Sequence, residues 1–146
     1  MKLLDVNVLV YAHREDAPQH RHYGVWLEQL LAGAEPFAVA DLVLSGFLRI
    51  VTHPRIFDPP TDLELALRFV NTVRESADCV VVAPGPKHWS IFLTLARESG
   101  CRGNLIPDAF LAAMAIELGC TWITTDRDYS RFNGLSWRHP LDDRQT

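Results

Sequence analysis

Five short apolar runs, Leu3 to Asp5, Pro36 to Ala40, Cys79 to Ala83, Cys120 to Thr124 and Leu135 to Trp137, alternate with longer segments whose apolar residues recur at helical spacing. That alternation leaves few folds open. Strands separated by helices join as parallel crossovers, so repeating the unit builds a parallel sheet with helices on both faces. The expected class is therefore α/β, a single domain over residues 1–146 around a parallel-stranded central sheet. A chain of this length buries a core without disulfide or zinc staples. Cys79, Cys101 and Cys120 are odd in number and widely spaced, and they read as buried thiols.

Local signals place the helices. Asn7 is positioned to cap a first helix running to about Arg14, and Pro18 opens a second that Gly33 closes, with Tyr23, Trp26, Leu27 and Leu30 among its apolar positions. Asp41 is placed to cap the helix that Pro54 terminates. Thr61 to Glu64 has capping-box spacing for the next, whose apolar side is Leu63, Leu65, Leu67, Phe69, Val70 and Val73. Pro86 starts a fifth helix, and an Ala-rich sixth ends at Gly119. The run from Cys79 to Ala83 is apolar throughout, as expected of an interior parallel strand.

In such sheets the loops at the carboxyl edge build ligand sites. Asp5 ends the first strand, Asp126 and Asp128 follow the fourth, and Asp108 lies in the first turn of the sixth helix, so separate segments converge on one pocket. Each aspartate also has an ordinary role open to it as a helix cap or Asx turn. Asp5, however, interrupts the apolar run from Leu3 to Leu9, where a charge is costly unless paired. Carboxylates gathered together raise one another's pKa, and a cation relieves the repulsion. Hard oxygen donors without His or Cys favour Mg²⁺, with Mn²⁺ able to substitute. The chemistry expected of such a site is phosphodiester hydrolysis by activated water, leaving a 5′-phosphate and a 3′-hydroxyl.

The formal net charge of −4 argues against unspecific adsorption to nucleic acid, yet four of the negatives are Asp5, Asp108, Asp126 and Asp128 themselves. Metal loading removes that objection. Of the basic residues only Lys2 and Lys87 are lysines; the rest are arginines, whose planar fork suits phosphate. No apolar run approaches the roughly 18 residues of a membrane span, and Asp5 interrupts any secretory signal, so a cytoplasmic protein with no membrane partner is expected. His13, His20, His22 and His53 show no metal spacing with a second ligand type. Trp26, Trp89, Phe47 and Phe92 read as core or dimer contacts.

Four segments carry a family resemblance: Leu4-Asp5-x-Asn7-Val8-Leu9, Gly46 to Arg55 (GFLRIVTHPR), Gly103 to Ala109 (GNLIPDA), and Thr124 to Tyr129 (TTDRDY). In this order, and over nearly the whole chain, they resemble a PIN-domain ribonuclease, more narrowly the VapC toxin of VapBC toxin–antitoxin pairs of the kind abundant in mycobacteria. The resemblance implies a Mg²⁺-dependent endoribonuclease that acts on RNA, forms a homodimer, and is silenced in a hetero-oligomer by a VapB-type antitoxin. It implies catalytic roles for Asp5, Asp108 and Asp126 and metal ligation by these three with Asp128. Asn7, Thr124, Thr125 and Ser45 are expected to support the site through hydrogen bonds, although a β-branched strand end also accounts for the two threonines. Arg14, Arg49, Arg55, Arg102 and Arg127, next to the site-forming segments, are nominated for RNA contact.

Two departures stand out. Many such nucleases carry a Glu on the helix after the second strand, near Gly46, and a hydroxyl-bearing residue after the first aspartate; here the helix has no Glu and Val6 follows Asp5. A non-cutting module that grips RNA or antitoxin is the alternative. A phosphoacceptor receiver domain requires a lysine after a late strand, and neither Lys2 nor Lys87 is so placed; an aspartyl phosphatase has a second aspartate where Asn7 stands. Weaker metal binding than at a four-carboxylate site is expected, and a direct metal titration measures it.

Overall fold

The computed structural model describes residues 1–142, so the last four residues of the expected single domain lie outside the described residues. In chain order the elements are β1 (Lys2–Leu4), α1 (Val6–His13), α2 (His20–Ala32), β2 (Phe37–Ala40), α3 (Asp41–Val51), α4 (Leu63–Arg74), β3 (Cys79–Val82), α5 (His88–Glu98), α6 (Leu105–Leu118), β4 (Thr121–Ile123), a 3-10 turn (Arg127–Arg131) and β5 (Trp137–Arg138). The sheet runs β3-β2-β1-β4-β5 with every pair parallel, which is the expected α/β class.

β1 is central because it pairs on both sides, Lys2 with Phe37 of β2 and with Thr121 of β4. From β1 the chain adds β2 and β3 in one direction, then returns to add β4 and β5 in the other. The crossovers diverge between β1 and β4, which opens a crevice at the carboxyl ends of these strands. Asp5 follows β1 directly, and its backbone N–H donates to the Ile123 carbonyl at 2.9 Å, so the crevice floor is tied together by the ladder itself.

The core sits where sheet and helices meet. Leu3, Leu4, Phe37, Val39, Trp122 and Ile123 from the strands are fully buried, as are Val8, Leu9, Phe47, Val51 and Met114 from the helices. Each such side chain contributes about 1.5–3 kcal/mol by leaving water. Ala109, Ala112, Ala113 and Ala115 let α6 lie close to its neighbours, and Gly119 ends it in a left-handed conformation (φ 65°) that other residues adopt at a cost. The Trp122 indole N–H is buried with no hydrogen-bond partner among the described residues, and nothing in the structure explains it.

Several local expectations are corrected. The run from Cys79 to Ala83 forms an edge strand, not an interior one, and Val80 and Val81 are each 41% exposed. Asp5, not Asn7, caps α1, because β1 ends at Leu4 and the helix begins at Val6. Asp41 is the first residue of α3 and makes no cap; its carboxylate pairs with Arg74 of α4 at 3.0 Å. Asp62 caps α4 by accepting from the Glu64 N–H at 3.2 Å, because the Thr61 hydroxyl is engaged by His13 and Arg14. On α4 the buried stripe is Ala66, Val70 and Val73, and Leu63 and Leu65 face solvent. Leu65 lies about 100° around the helix from Ala66, off that stripe.

The edge position of β3 has a measurable consequence. Val81→Lys is expected to change unfolding free energy by less than about 0.5 kcal/mol, whereas Val39→Lys, on the strand beside it, removes most of the stability. Urea denaturation of both variants checks this, and comparable losses would contradict an exposed edge.

Candidate active site and metal centre

The three principal aspartates come together at the crevice from three elements. Asp5 is 5% exposed at the junction of β1 and α1, Asp108 is half-buried in the first turn of α6, and Asp126 is half-buried in the loop after β4. A hub of short contacts joins two of them. The Asp5 carboxylate accepts from the Val6 N–H at 2.6 Å and from the Thr124 hydroxyl at 2.7 Å. That hydroxyl in turn accepts from the Asp126 N–H at 3.0 Å, and the Asp126 carboxylate accepts from the Asp128 N–H at 2.9 Å, capping the 3-10 turn. Asp108 is held separately, by the Tyr129 hydroxyl at 3.3 Å.

The electrostatics are those of crowded, poorly hydrated anions. Burial pushes the Asp5 carboxyl up to about 6; the hydrogen bonds from Thr124 and Val6 oppose this, and repulsion from Asp108 and Asp126 adds to it. Asp108 is also raised, chiefly by burial and further by Asp126, with the Tyr129 hydroxyl and the Arg131 guanidinium acting against the shift. Burial and the surrounding carboxylates push the Tyr129 phenol well above its ordinary range.

The donor set fits a hard divalent cation. Among the described residues no three or more His, Cys, Asp or Glu side chains already stand close enough to enclose one ion. Mg²⁺ needs no such cage, since it is usually held by one or two carboxylates and keeps several waters. Asp5 and Asp108, both raised and mutually repelling, are the pair whose charge a cation would relieve most, with Asp126 next. Asp128 is exposed in the 3-10 turn, where its N–H serves the Asp126 cap.

Of the two threonines open to bonding the carboxylates, Thr124, fully buried, bonds Asp5, and Thr125 makes no hydrogen bond to a carboxylate among the described residues. Asn7 and Ser45 make none either; Ser45 is exposed and lines a cleft of about 460 Å³ with Val6, Gly46, Arg49, Pro107 and Phe110. At Gly46, near the position where related nucleases carry a Glu, an added Cβ would lie 3.2 Å from a Val6 methyl. The two departures therefore lie side by side, and a side chain at Gly46 would require the Val6 methyl to give by a few tenths of an ångström.

Of the arginines nominated for RNA, Arg49, Arg55 and Arg102 are exposed and without an ion-pair partner among the described residues. Arg14 and Arg127 are committed elsewhere. Arg14 forks onto Asp16 at 2.9 and 2.7 Å and lies over the Phe57 ring at 4.3 Å, and Arg127 forks onto Asp142 at 3.2 and 3.0 Å. Sequence reasoning missed Tyr129 and Arg131. Tyr129 stood in the quoted TTDRDY segment, and spacing from Asp126 was the available signal for both.

A raised carboxyl pKa links the site to stability. The folded chain holds the Asp5 proton more tightly than the unfolded chain, so ionisation of Asp5 destabilises the fold. Without metal, this penalty is absent below about pH 4, grows as pH rises through about 6, and reaches roughly 3 kcal/mol from the shift between 3.8 and 6. Urea denaturation without metal is expected to show stability falling over that interval, and a flatter profile in Asp5→Asn.

Comparison with known proteins follows from this arrangement. A family model described as PIN domain matches residues 2–135. The ribonuclease VapC43 of Mycobacterium tuberculosis is 44% identical over 142 residues, covering 97% of each chain, and ribonuclease VapC25 of the same organism is 43% identical over 139 residues, covering 95% of this chain and 96% of that one. Among solved structures, VapBC2 from Rickettsia felis bound to a DNA fragment from their promoter gives a TM-score of 0.68 at 19% identity, covering 94% of this chain and 96% of that chain. VapBC-1 from nontypeable Haemophilus influenzae gives 0.66 at 15%, covering 95% and 97%. With its parallel sheet, its acidic crevice and this similarity along nearly its whole length, the chain belongs to the PIN-domain family, in the branch of the VapC proteins.

Proposed function

We propose that the protein is a Mg²⁺-dependent endoribonuclease, the toxin of a type II toxin–antitoxin pair, acting in the cytoplasm and neutralised by a VapB-type antitoxin. The observation that carries this reading is the convergence of Asp5, Asp108 and Asp126 at the strand switch, where burial leaves the Asp5 carboxyl raised to about 6 with no cation bonded to it among the described residues. Its relatives at 43–44% identity bear the name ribonuclease, which supports the same reaction class. A homodimer and a toxin–antitoxin hetero-oligomer are the assemblies proposed.

In this reading Asp5, Asp108 and Asp126, with Asp128 beside them, hold Mg²⁺ or Mn²⁺. When bound, the ion supplies an activated water and neutralises charge on the phosphodiester. The chain's own residues do the rest. Thr124 orients Asp5 through its hydroxyl and, through the Asp126 N–H, fixes the loop after β4. Arg49 lines the cleft that begins at Val6 and Pro107, each adjacent to an acidic residue of the site, so its guanidinium is available to an RNA phosphate there. Arg55 and Arg102 are the other exposed cations proposed for the RNA backbone.

One observation favours a second reading, a PIN module that binds RNA or antitoxin without efficient cleavage: α3 carries no Glu, and at Gly46 an added Cβ would crowd a Val6 methyl at 3.2 Å. Growth arrest that persists in Asp5→Ala without new RNA ends would select it.

The nuclease reading is tested by incubating the purified protein with RNA and Mg²⁺ or Mn²⁺ beside Asp108→Asn. Cleavage that needs the metal, leaves 5′-phosphates, and falls by at least about 100-fold in the variant is expected; undiminished cleavage by Asp108→Asn would refute the assignment.

A further inference from the structure

The Asp5 carboxylate and the Asp126 backbone share one hydrogen-bonded network through Thr124, and Asp108 is bonded to neither. Asp5 and Asp126 are joined through the Thr124 hydroxyl at 2.7 and 3.0 Å. Asp108 sits on α6, and among the described residues its carboxylate has a single hydrogen bond, from Tyr129 at 3.3 Å to Oδ1. Tyr129 is 3% exposed, and its ring lies against Trp122 and Phe132 with centroids 5.6 and 5.7 Å apart, so the phenol cannot swing away. It belongs to the 3-10 turn that the Asp126 carboxylate caps. The tyrosine therefore reaches from the strand side of the crevice to the one acidic group borne by a helix.

Asp126 repels the Asp108 carboxylate and the Arg131 guanidinium attracts it, but the Tyr129 hydroxyl is the group that bonds it directly. A lysine or arginine in the place of Tyr129 would hold it inward but would also cancel the charge that attracts a cation. A neutral hydroxyl restrains the carboxylate and leaves its charge intact.

We infer that Tyr129 is a positioning residue, whose hydroxyl holds Oδ1 of Asp108 so that Oδ2 remains free to bind the divalent cation alongside Asp5. The inference rests on the metal-dependent reading of the site. It treats Tyr129 as acting through Asp108, without touching substrate.

The test is isothermal titration of the full chain with Mn²⁺, comparing wild type, Tyr129→Phe, and Tyr23→Phe as a control at a tyrosine whose hydroxyl faces His139. Phenylalanine keeps the ring packing and removes only the donor. Tyr129→Phe is expected to bind Mn²⁺ about 10-fold or more weakly. With RNA, its kcat should fall at subsaturating metal while KM stays unchanged; the metal-free melting temperature should hold within a few degrees, and Tyr23→Phe should match wild type. Equal Mn²⁺ affinity in wild type and Tyr129→Phe overturns the inference, as does an equal loss in Tyr23→Phe or collapse of the metal-free fold. Wild type that binds Mn²⁺ but cuts no RNA refutes the nuclease reading and leaves the positioning role to the affinities; wild type that binds no Mn²⁺ overturns both.

Discussion

A carboxylate buried at the end of the central strand is the constraint on which this structure depends. β1 is flanked on both sides, so Asp5 cannot retreat to solvent without breaking the ladder that its own N–H extends to Ile123. The positive end of α1 and the bonds from Val6 and Thr124 stabilise its charge, and an N-terminal helix dipole is worth at most about 2 kcal/mol in partly buried geometries. Desolvation outweighs them, since the net shift is upward. The protein thus carries an anion that its own groups do not fully satisfy, which is the condition in which an external cation gains most by binding.

The fold was legible because its signals are local. Strands too short for helices, alternating with helical periodicity, admit little besides a parallel sheet, and the five strands and six α-helices among the described residues follow that order. What sequence pattern could not report was lateral position. An apolar run says that both faces of a strand are covered or at least apolar; it says nothing of how many neighbours bond to its sides, and β3 lies at the edge. The caps shifted for a related reason. Asp5 and Asn7 can both cap a helix, and the choice between them is made by the residue at which β1 stops pairing.

At the site, Asp5 was legible because a charge within an apolar run demands explanation, and Asp108 and Asp126 because they follow a strand or open a helix at the carboxyl edge. Their partners were legible only in part. Thr124 and Thr125 were equally open to bonding the carboxylates, and folding brings Thr124 to one 119 residues away, whereas Tyr129 looks like any core aromatic until it meets one 21 residues away. Arg14 and Arg127 illustrate the converse, since each appears available in sequence and is taken by a carboxylate in space, Asp16 and Asp142. The absent Glu and the unusual Val6 read as two separate departures; in space Gly46 and the Val6 methyl are neighbours.

The sequence by itself determined the class of fold, the end of the sheet at which aspartates gather, and which aspartates they are, because helix and strand periods and isolated charges are properties of neighbouring residues. Tertiary structure decided which hydroxyl meets which carboxylate, which arginines remain free, and how strongly each acid is perturbed. Those depend on distances between segments far apart in the chain and on the water that packing removes, and neither is written in local order.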